Sequence, residues 1–166
     1  PELLFVKRAE YPGDPWSGHV AFPGGRAEPG DPDLWHTAAR ETREETGLDL
    51  RAVARPLGAL DELYPRTPVL PPVVVRPHVA AVPAGVGEAL TLSAELAAAF
   101  WVPLARLAEP GVDAERTVVA RGVELTVPSY LVAGHTLWGM SERILRQFLA
   151  LLADGAAGGE AGLPEI

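Results

Sequence analysis

Short apolar runs alternate with segments dense in proline and glycine over the first part of the chain. The apolar runs, which predict strands, are Leu3–Val6 and His19–Phe22. The intervening and following segments, Tyr11–Gly18 and Pro23–Pro32, contain residues that favour turns and predict loops. The chain therefore begins with two short strands joined and followed by loops.

The pattern changes to a helical period from Asp33 to Thr46. Asp31 or Asp33 can cap the start of this helix, and Gly47 can supply the left-handed residue that ends it. The side of the helix predicted to pack on the sheet carries Leu34, Trp35, Ala38, Ala39 and Thr42.

The rest of the chain predicts more strands and one further helix. Segments rich in Val, Leu and aromatic residues, which predict strands, are Leu50–Leu60, Pro72–Val82, Ala99–Leu104 and Thr117–Leu131. Arg121 and Gly122 predict a hairpin turn inside the last of these. Ser141 predicts the cap of a helix that runs to Leu152. Its buried face would carry Ile144, Leu145, Phe148, Leu149 and Leu152. These elements predict one α/β layered domain with a mixed sheet over residues 1–153 and a loose Gly/Ala tail over 154–166.

The composition of the chain argues against several classes of function. A chain of 166 residues with 48% hydrophobic content can bury one core, and the absence of cysteine excludes disulfides and thiol chemistry. The net charge of −8 argues against a nucleic-acid partner, which needs a basic face. Because neither a membrane span nor a signal peptide is visible, we expect no membrane partner and a cytoplasmic protein. The chain starts at Pro1 without methionine, so we expect some N-terminal sequence, including a first strand, to be missing.

A cluster of carboxylates carries the candidate chemistry. Glu41, Glu44 and Glu45 fall within an arc of roughly 100° on the first helix, where like charges repel. Arg40 and Arg43 are expected to project to the other flank of this cluster and not to sit between the carboxylates. A hard divalent cation such as Mg²⁺ can sit there, with waters and phosphate oxygens as its further ligands. The alternative interpretation is a solvated acidic helix face.

The residues before and along this helix match a known pattern. The segment Gly25–Leu48, GRAEPGDPDLWHTAARETREETGL, resembles the box of the Nudix hydrolases, G-x5-E-x7-R-E-U-x-E-E-x-G-U with U apolar. The departures are that Asp31 replaces the first glutamate, with eight residues instead of seven between it and Arg40, and that Thr42 fills an apolar slot. The resemblance implies a Nudix fold, an α/β/α sandwich with a mixed sheet between helices, and hydrolysis of a diphosphate joined to a nucleoside.

The resemblance extends to one subgroup of the family. The segments LFVKRA from Leu4 and GHVAFPGG from Gly18 are similar to the sequence that precedes the box in the coenzyme A diphosphatases. In that subgroup an aspartate at the position of Asp31 is also common. An arginine of the subgroup pattern falls on Asp14, and one extra residue lies before Gly18. The implied reaction converts coenzyme A or an acyl-CoA to 4'-phosphopantetheine and adenosine 3',5'-bisphosphate. ADP-ribose, nucleotide sugars and oxidised or ordinary nucleoside triphosphates stay open as substrates, as does a non-catalytic nucleotide-binding role.

The resemblance also implies roles for individual residues. Mg²⁺, or Mn²⁺ in its place, would be held by Glu41, Glu44 and Glu45, with the Gly25 carbonyl as an additional ligand. Arg40 would orient the carboxylates. Either one of these glutamates or Glu95 would take a proton from the attacking water. Arg8 and Arg26, which flank the two loops, are candidates for the substrate phosphates, although both are equally consistent with surface arginines. Dimers are common among relatives, so a homodimer stays open.

Overall fold

The computed structural model describes residues 1–66 and 72–158 as eight strands and four helices. The strands are β1 (Glu2–Arg8), β2 (Val20–Ala21), β3 (Arg55–Ala59), β4 (His78–Ala81), β5 (Leu96–Pro103), β6 (Asp113–Ala120), β7 (Val123–Val132) and β8 (His135–Trp138). The helices are α1 (Leu34–Thr46), α2 (Leu50–Val53), α3 (Leu104–Leu107) and α4 (Met140–Gly158). None of the helices in these two ranges is long and apolar enough to span a bilayer.

The strands form three small sheets with the orders β2-β1-β5, β3-β4 and β6-β7-β8. The prediction of an α/β domain is confirmed. The sheets differ from the predicted mixed sheet, because every strand pair within residues 1–66 and 72–158 is antiparallel. The hairpin predicted at Arg121 and Gly122 is confirmed: both residues have positive φ, 52° and 76°, and they connect β6 to β7. Turns with two positive φ values match the twist of antiparallel strands.

The core lies where the two three-stranded sheets meet α3 and α4. Its buried members are Phe5, Val20, Val102, Leu107, Tyr130, Val132, Leu137 and Leu145. Each large apolar side chain buried in this way contributes roughly 1.5–3 kcal/mol to folding. Phe5 and Val102 lie on β1 and β5, so the core fixes these two strands. Through them it fixes the position of Arg8 at the end of β1 and of Glu95 just before β5.

The prediction of a strand over Leu50–Leu60 is wrong in its first half. Asp49 accepts a hydrogen bond from the Arg51 N–H at 3.2 Å, which caps the helical turn α2. An aspartate in this position competes with extended structure by bonding its own backbone. The strand that follows, β3, is limited to Arg55–Ala59. Leu34, predicted to pack on the sheet, is exposed.

The last helix is longer and less buried than the pattern predicts. It begins at Met140, so Ser141 lies inside it and not at its cap, and it extends to Gly158, five residues into the predicted tail. Leu145 is fully buried, whereas Leu152 is 44% exposed. The predicted side is therefore buried in the first part of the helix and exposed at Leu152. The remainder of the predicted tail, 159–166, lies outside the described residues.

Candidate functional site

Local sequence fixes both ends of α1. The Asp33 carboxylate accepts a hydrogen bond from the His36 N–H at 2.9 Å, so Asp33 is the capping residue and Asp31 is not. Gly47 has φ of 76°, and its N–H donates to the Arg43 carbonyl at 2.8 Å. This left-handed ending is the one predicted. The helix so defined presents Glu41 and Glu45 to the glycine loop that precedes it.

The glycine loop lies directly against these two carboxylates. The Gly24 N–H donates to Glu45 Oε2 at 3.1 Å. Gly25 is so close to the Glu41 carboxyl group that a Cβ atom at this position would overlap it. A larger residue at Gly25 would displace the Glu41 carboxyl group, in keeping with the close backbone approach predicted for this loop.

Glu45 is a buried carboxylate among other carboxylates. Its residue is only 6% exposed. Burial, together with the negative charges of Glu41 and Glu95, raises the pKa of Glu45 to about 7, although the hydrogen bond from the Gly24 N–H and the Arg8 charge act in the opposite direction. Burial likewise raises the pKa of Glu41. The negative charge here exceeds what nearby protein cations neutralise, and a cationic ligand would relieve it.

Arg40 sits among the acidic side chains, which corrects the expectation that it projects to the other flank. Its Nη1 lies 3.2 Å from both Glu41 Oε1 and Glu44 Oε2. Its Nε and Nη2 each donate to the Asp31 carboxylate at 2.9 Å. This bidentate anchor outside the helix turns the long side chain back over the carboxylates. Arg40 in turn holds the pKa of Asp31 well below its usual range.

The predicted metal ligands differ in their surroundings. Glu44 is 57% exposed at its side chain and pairs with Arg40. In the part of the chain that the structure describes, no three His, Asp or Glu side chains come together as a group that could hold a metal ion. Glu41 and Glu45 contact the glycine loop, and Glu44 is linked to Glu41 through Arg40. The ligand set Gly25, Glu41, Glu44 and Glu45 remains a prediction.

Glu95 reaches this site from a distant part of the sequence. The Ser93 N–H donates to the Glu45 carbonyl at 2.9 Å, and the Ala9 N–H donates to the Glu95 carbonyl at 2.8 Å. These main-chain bonds tie the segment before β5 to the end of α1 and the end of β1. The charge of Glu95 consequently raises the pKa of Glu45. Glu95 is thus brought beside the glutamate cluster, where a general base would have to be.

The two predicted phosphate ligands differ in position. Arg8 Nη2 donates to Asp14 Oδ2 at 2.9 Å, and the Arg8 charge lowers the pKa of Glu45. Arg26 is exposed; its carbonyl accepts a hydrogen bond from Arg40 at 2.9 Å. Sequence reasoning gave Asp14 no role. Asp14 contacts Arg8, six positions earlier, within an irregular loop, where no helical or strand period indicates a contact.

Comparison with known proteins gives consistent matches. The family described as NUDIX domain matches residues 1–122. The human protein named mitochondrial coenzyme A diphosphatase NUDT8 is 35% identical over 163 residues, 93% of this chain and 64% of that protein, so the chain spans less than two thirds of its length. The mouse protein of the same name is 31% identical over 173 residues, covering 100% of this chain and 78% of that protein. A crystal structure of a C. elegans Ap4A hydrolase binary complex has 25% identity and a TM-score of 0.46, covering 61% of this chain and 67% of that one.

Proposed function

The chain belongs to the Nudix family of hydrolases, and we propose that it cleaves the diphosphate of coenzyme A or an acyl-CoA. The products would be 4'-phosphopantetheine and adenosine 3',5'-bisphosphate. The observation that supports coenzyme A as the substrate is the sequence identity of 31% to 35%, over 93% to 100% of this chain, with two mammalian proteins named coenzyme A diphosphatases. The similarity to the subgroup in the segments before the box supports the same substrate.

The chemistry of the donor set fits a divalent cation. Glu41 and Glu45 are two carboxylates packed on a glycine loop, and burial, with a smaller effect of neighbouring carboxylates, raises the pKa of both. Nudix hydrolases generally depend on divalent metals. Mg²⁺ accepts two protein carboxylates when waters and phosphate oxygens complete its shell, so a third side chain is not required. Glu41 and Glu45, with the Gly25 carbonyl, would hold the ion. Glu44 would coordinate it only if its ion pair with Arg40 were broken.

Each residue of the site has its own role in the proposed reaction. When bound, Mg²⁺ would stabilise negative charge on the phosphate oxygens. Arg40 keeps Glu41 oriented through its anchor on Asp31. Glu95 or Glu45 would accept the proton of the attacking water, since both lie in the acidic cluster. Arg8 would bind a phosphate oxygen of the substrate.

The proposal is tested by the products formed from coenzyme A with and without Mg²⁺. We expect the two named products, and only when the metal is present. ADP-ribose, a nucleotide sugar and an oxidised nucleoside triphosphate are assayed in parallel. A preference of tenfold or more for any of these would reject coenzyme A as the substrate while leaving the hydrolase class intact. No turnover of any of them, with binding retained, would favour the non-catalytic role.

Location and assembly remain predictions. The human and mouse relatives carry the word mitochondrial in their names, which applies to those proteins. A cytoplasmic location, Mg²⁺ or Mn²⁺ as the cofactor and a homodimer are our expectations for this chain. Fractionation of the source cells and light scattering of the purified protein would test the first and the last.

A further inference from the structure

Arg8 is a half-buried cation with unused hydrogen-bond donors. It is the last residue of β1, and the pairing with β5 shifts register between Lys7 and Arg8. Such a bulge re-aims the side chain at its position. The Nε atom of Arg8 is buried and has no hydrogen-bond partner among the residues that the structure describes. Because a buried donor without a partner is costly, the Arg8 guanidinium is suited to donate to a ligand oxygen.

Asp14 is held in place independently of Arg8. Its Oδ1 accepts a hydrogen bond from the Trp16 N–H at 3.0 Å, and its own N–H donates to the Tyr11 carbonyl at 3.2 Å. Its second oxygen, Oδ2, accepts from Arg8 Nη2 at 2.9 Å. The Asp14 side chain is only 18% exposed. The loop therefore presents one carboxylate oxygen to the arginine in a fixed place.

Other carboxylates compete for the same guanidinium. Arg8 pairs with Leu96 across the sheet, and the Ala9 N–H donates to the Glu95 carbonyl at 2.8 Å, so Glu95 is a close neighbour of Arg8. The Ser93 N–H in turn donates to the Glu45 carbonyl at 2.9 Å, and the Arg8 charge lowers the pKa of Glu45. Arg40 is an example of an arginine that forms ion pairs with acidic side chains of this site: its Nη1 lies 3.2 Å from both Glu41 and Glu44. Without a competing partner, Arg8 would be drawn onto Glu45 and Glu95. It would then no longer be available to a substrate phosphate.

We propose that Asp14 is a positioning residue that holds Arg8 away from Glu45 and Glu95, so that its remaining donors bind a diphosphate oxygen. The proposal rests on the proposed function, and it assigns a role to a residue that does not touch the substrate. One Asp14 oxygen fixes the loop and the other fixes the arginine. An anionic diphosphate is the ligand because the unused donors belong to a permanent cation.

The variant Asp14→Asn separates the two contacts of Asp14. The asparagine carbonyl can still accept from the Trp16 N–H, whereas its amide nitrogen cannot accept from Arg8. We expect KM for coenzyme A to rise at least tenfold with kcat within threefold of wild type. Arg8→Ala should show a similar rise. The decisive variant is the double Asp14→Asn, Arg8→Ala, which we expect to be no worse than Arg8→Ala alone, because Asp14 acts through Arg8.

The opposite results overturn the proposal. If Asp14→Asn has the KM of wild type, Asp14 does not position Arg8. If the double variant shows the product of the two single effects, Asp14 contributes through the loop and not through the arginine. Asp49→Asn is the matched control. Asp49 also caps a turn with Oδ1 and faces an arginine, Arg43, with Oδ2 at 3.9 Å, so its KM should stay at the wild-type value.

A binding measurement separates this inference from the proposed substrate. Methylenediphosphonate, a diphosphate analogue that cannot be hydrolysed, is titrated into each variant by calorimetry in the presence of Mg²⁺. We expect Asp14→Asn and Arg8→Ala each to weaken binding at least tenfold, with no further loss in the double variant. This pattern together with no coenzyme A hydrolysis would reject the substrate and keep the role of Asp14. Equal binding by wild type and Asp14→Asn, or no binding by wild type, would reject the role of Asp14 even if coenzyme A is hydrolysed.

Discussion

Gly25→Ala adds a single methyl group where the glycine loop meets Glu41. The new Cβ would overlap the Glu41 carboxyl group, far inside the 3.0 Å separation that real Cβ atoms keep from their neighbours. The carboxyl group lies at the end of a flexible side chain and would move by on the order of 1 Å, a misplacement that can cost roughly 100-fold in rate. We therefore expect kcat/KM for coenzyme A to fall by about 100-fold at saturating Mg²⁺.

The same loop offers a matched control. Gly30 has no atom within 4 Å of a built Cβ and no positive φ, so Gly30→Ala should keep wild-type activity. Because Glu41 can yield without moving the backbone, both variants should melt within about 3 °C of wild type, the change that roughly 1 kcal/mol produces in a domain of this size. Initial rates and thermal melts on the two variants test this. Wild-type turnover by Gly25→Ala would refute the role assigned to the contact between Gly25 and Glu41.

Three further predictions concern Glu45, the Asp113–Arg146 ion pair and the Gly87–Trp101 contact. Glu45→Gln should lower turnover by orders of magnitude. It should melt at or above the wild-type temperature, because it removes a buried charge beside two others; a lower melting temperature would contradict this. Arg146 lowers the pKa of Asp113 below 3.8, so this pair stabilises the fold above that pH and loses its effect as the pH falls through the lowered pKa. The free energy of unfolding of Asp113→Asn should therefore be lower than that of wild type at pH 7, and the two values should converge below that pKa. Gly87→Ala would place a Cβ inside the Trp101 ring and should lower the free energy of unfolding by about 1–3 kcal/mol in urea, without changing the KM for coenzyme A.

Local chemistry made the first helix predictable. Its period, its cap at Asp33 and its left-handed end at Gly47 are each decided within a few residues of chain. The glycine loop was predictable for the same reason, since Gly25 and the residues from Arg40 to Leu48 belong to a known pattern. The fold class followed from the order of such elements, whereas the antiparallel pairing of the strands depends on contacts distant in sequence.

The contacts that set charge at the site were not predictable. A helical wheel places Arg40 by its Cα direction and cannot include the Asp31 anchor that bends the side chain back over Glu41. The pairing of Arg8 with Asp14 likewise depends on how a loop closes. Each position depends on a long flexible side chain meeting a partner outside its own element, which periodicity does not encode.

The main-chain bonds from Ser93 to Glu45 and from Ala9 to Glu95 have an evolutionary consequence. Because backbone atoms join the end of α1 to β1 and to the start of β5, exchange of the acidic side chains leaves these joints in place. Lineages that lose the reaction would then retain a well-folded scaffold, free to be recruited for recognition alone. Descendants of such a chain should diverge first at Glu41 and Glu45 and last in the strands that those joints connect.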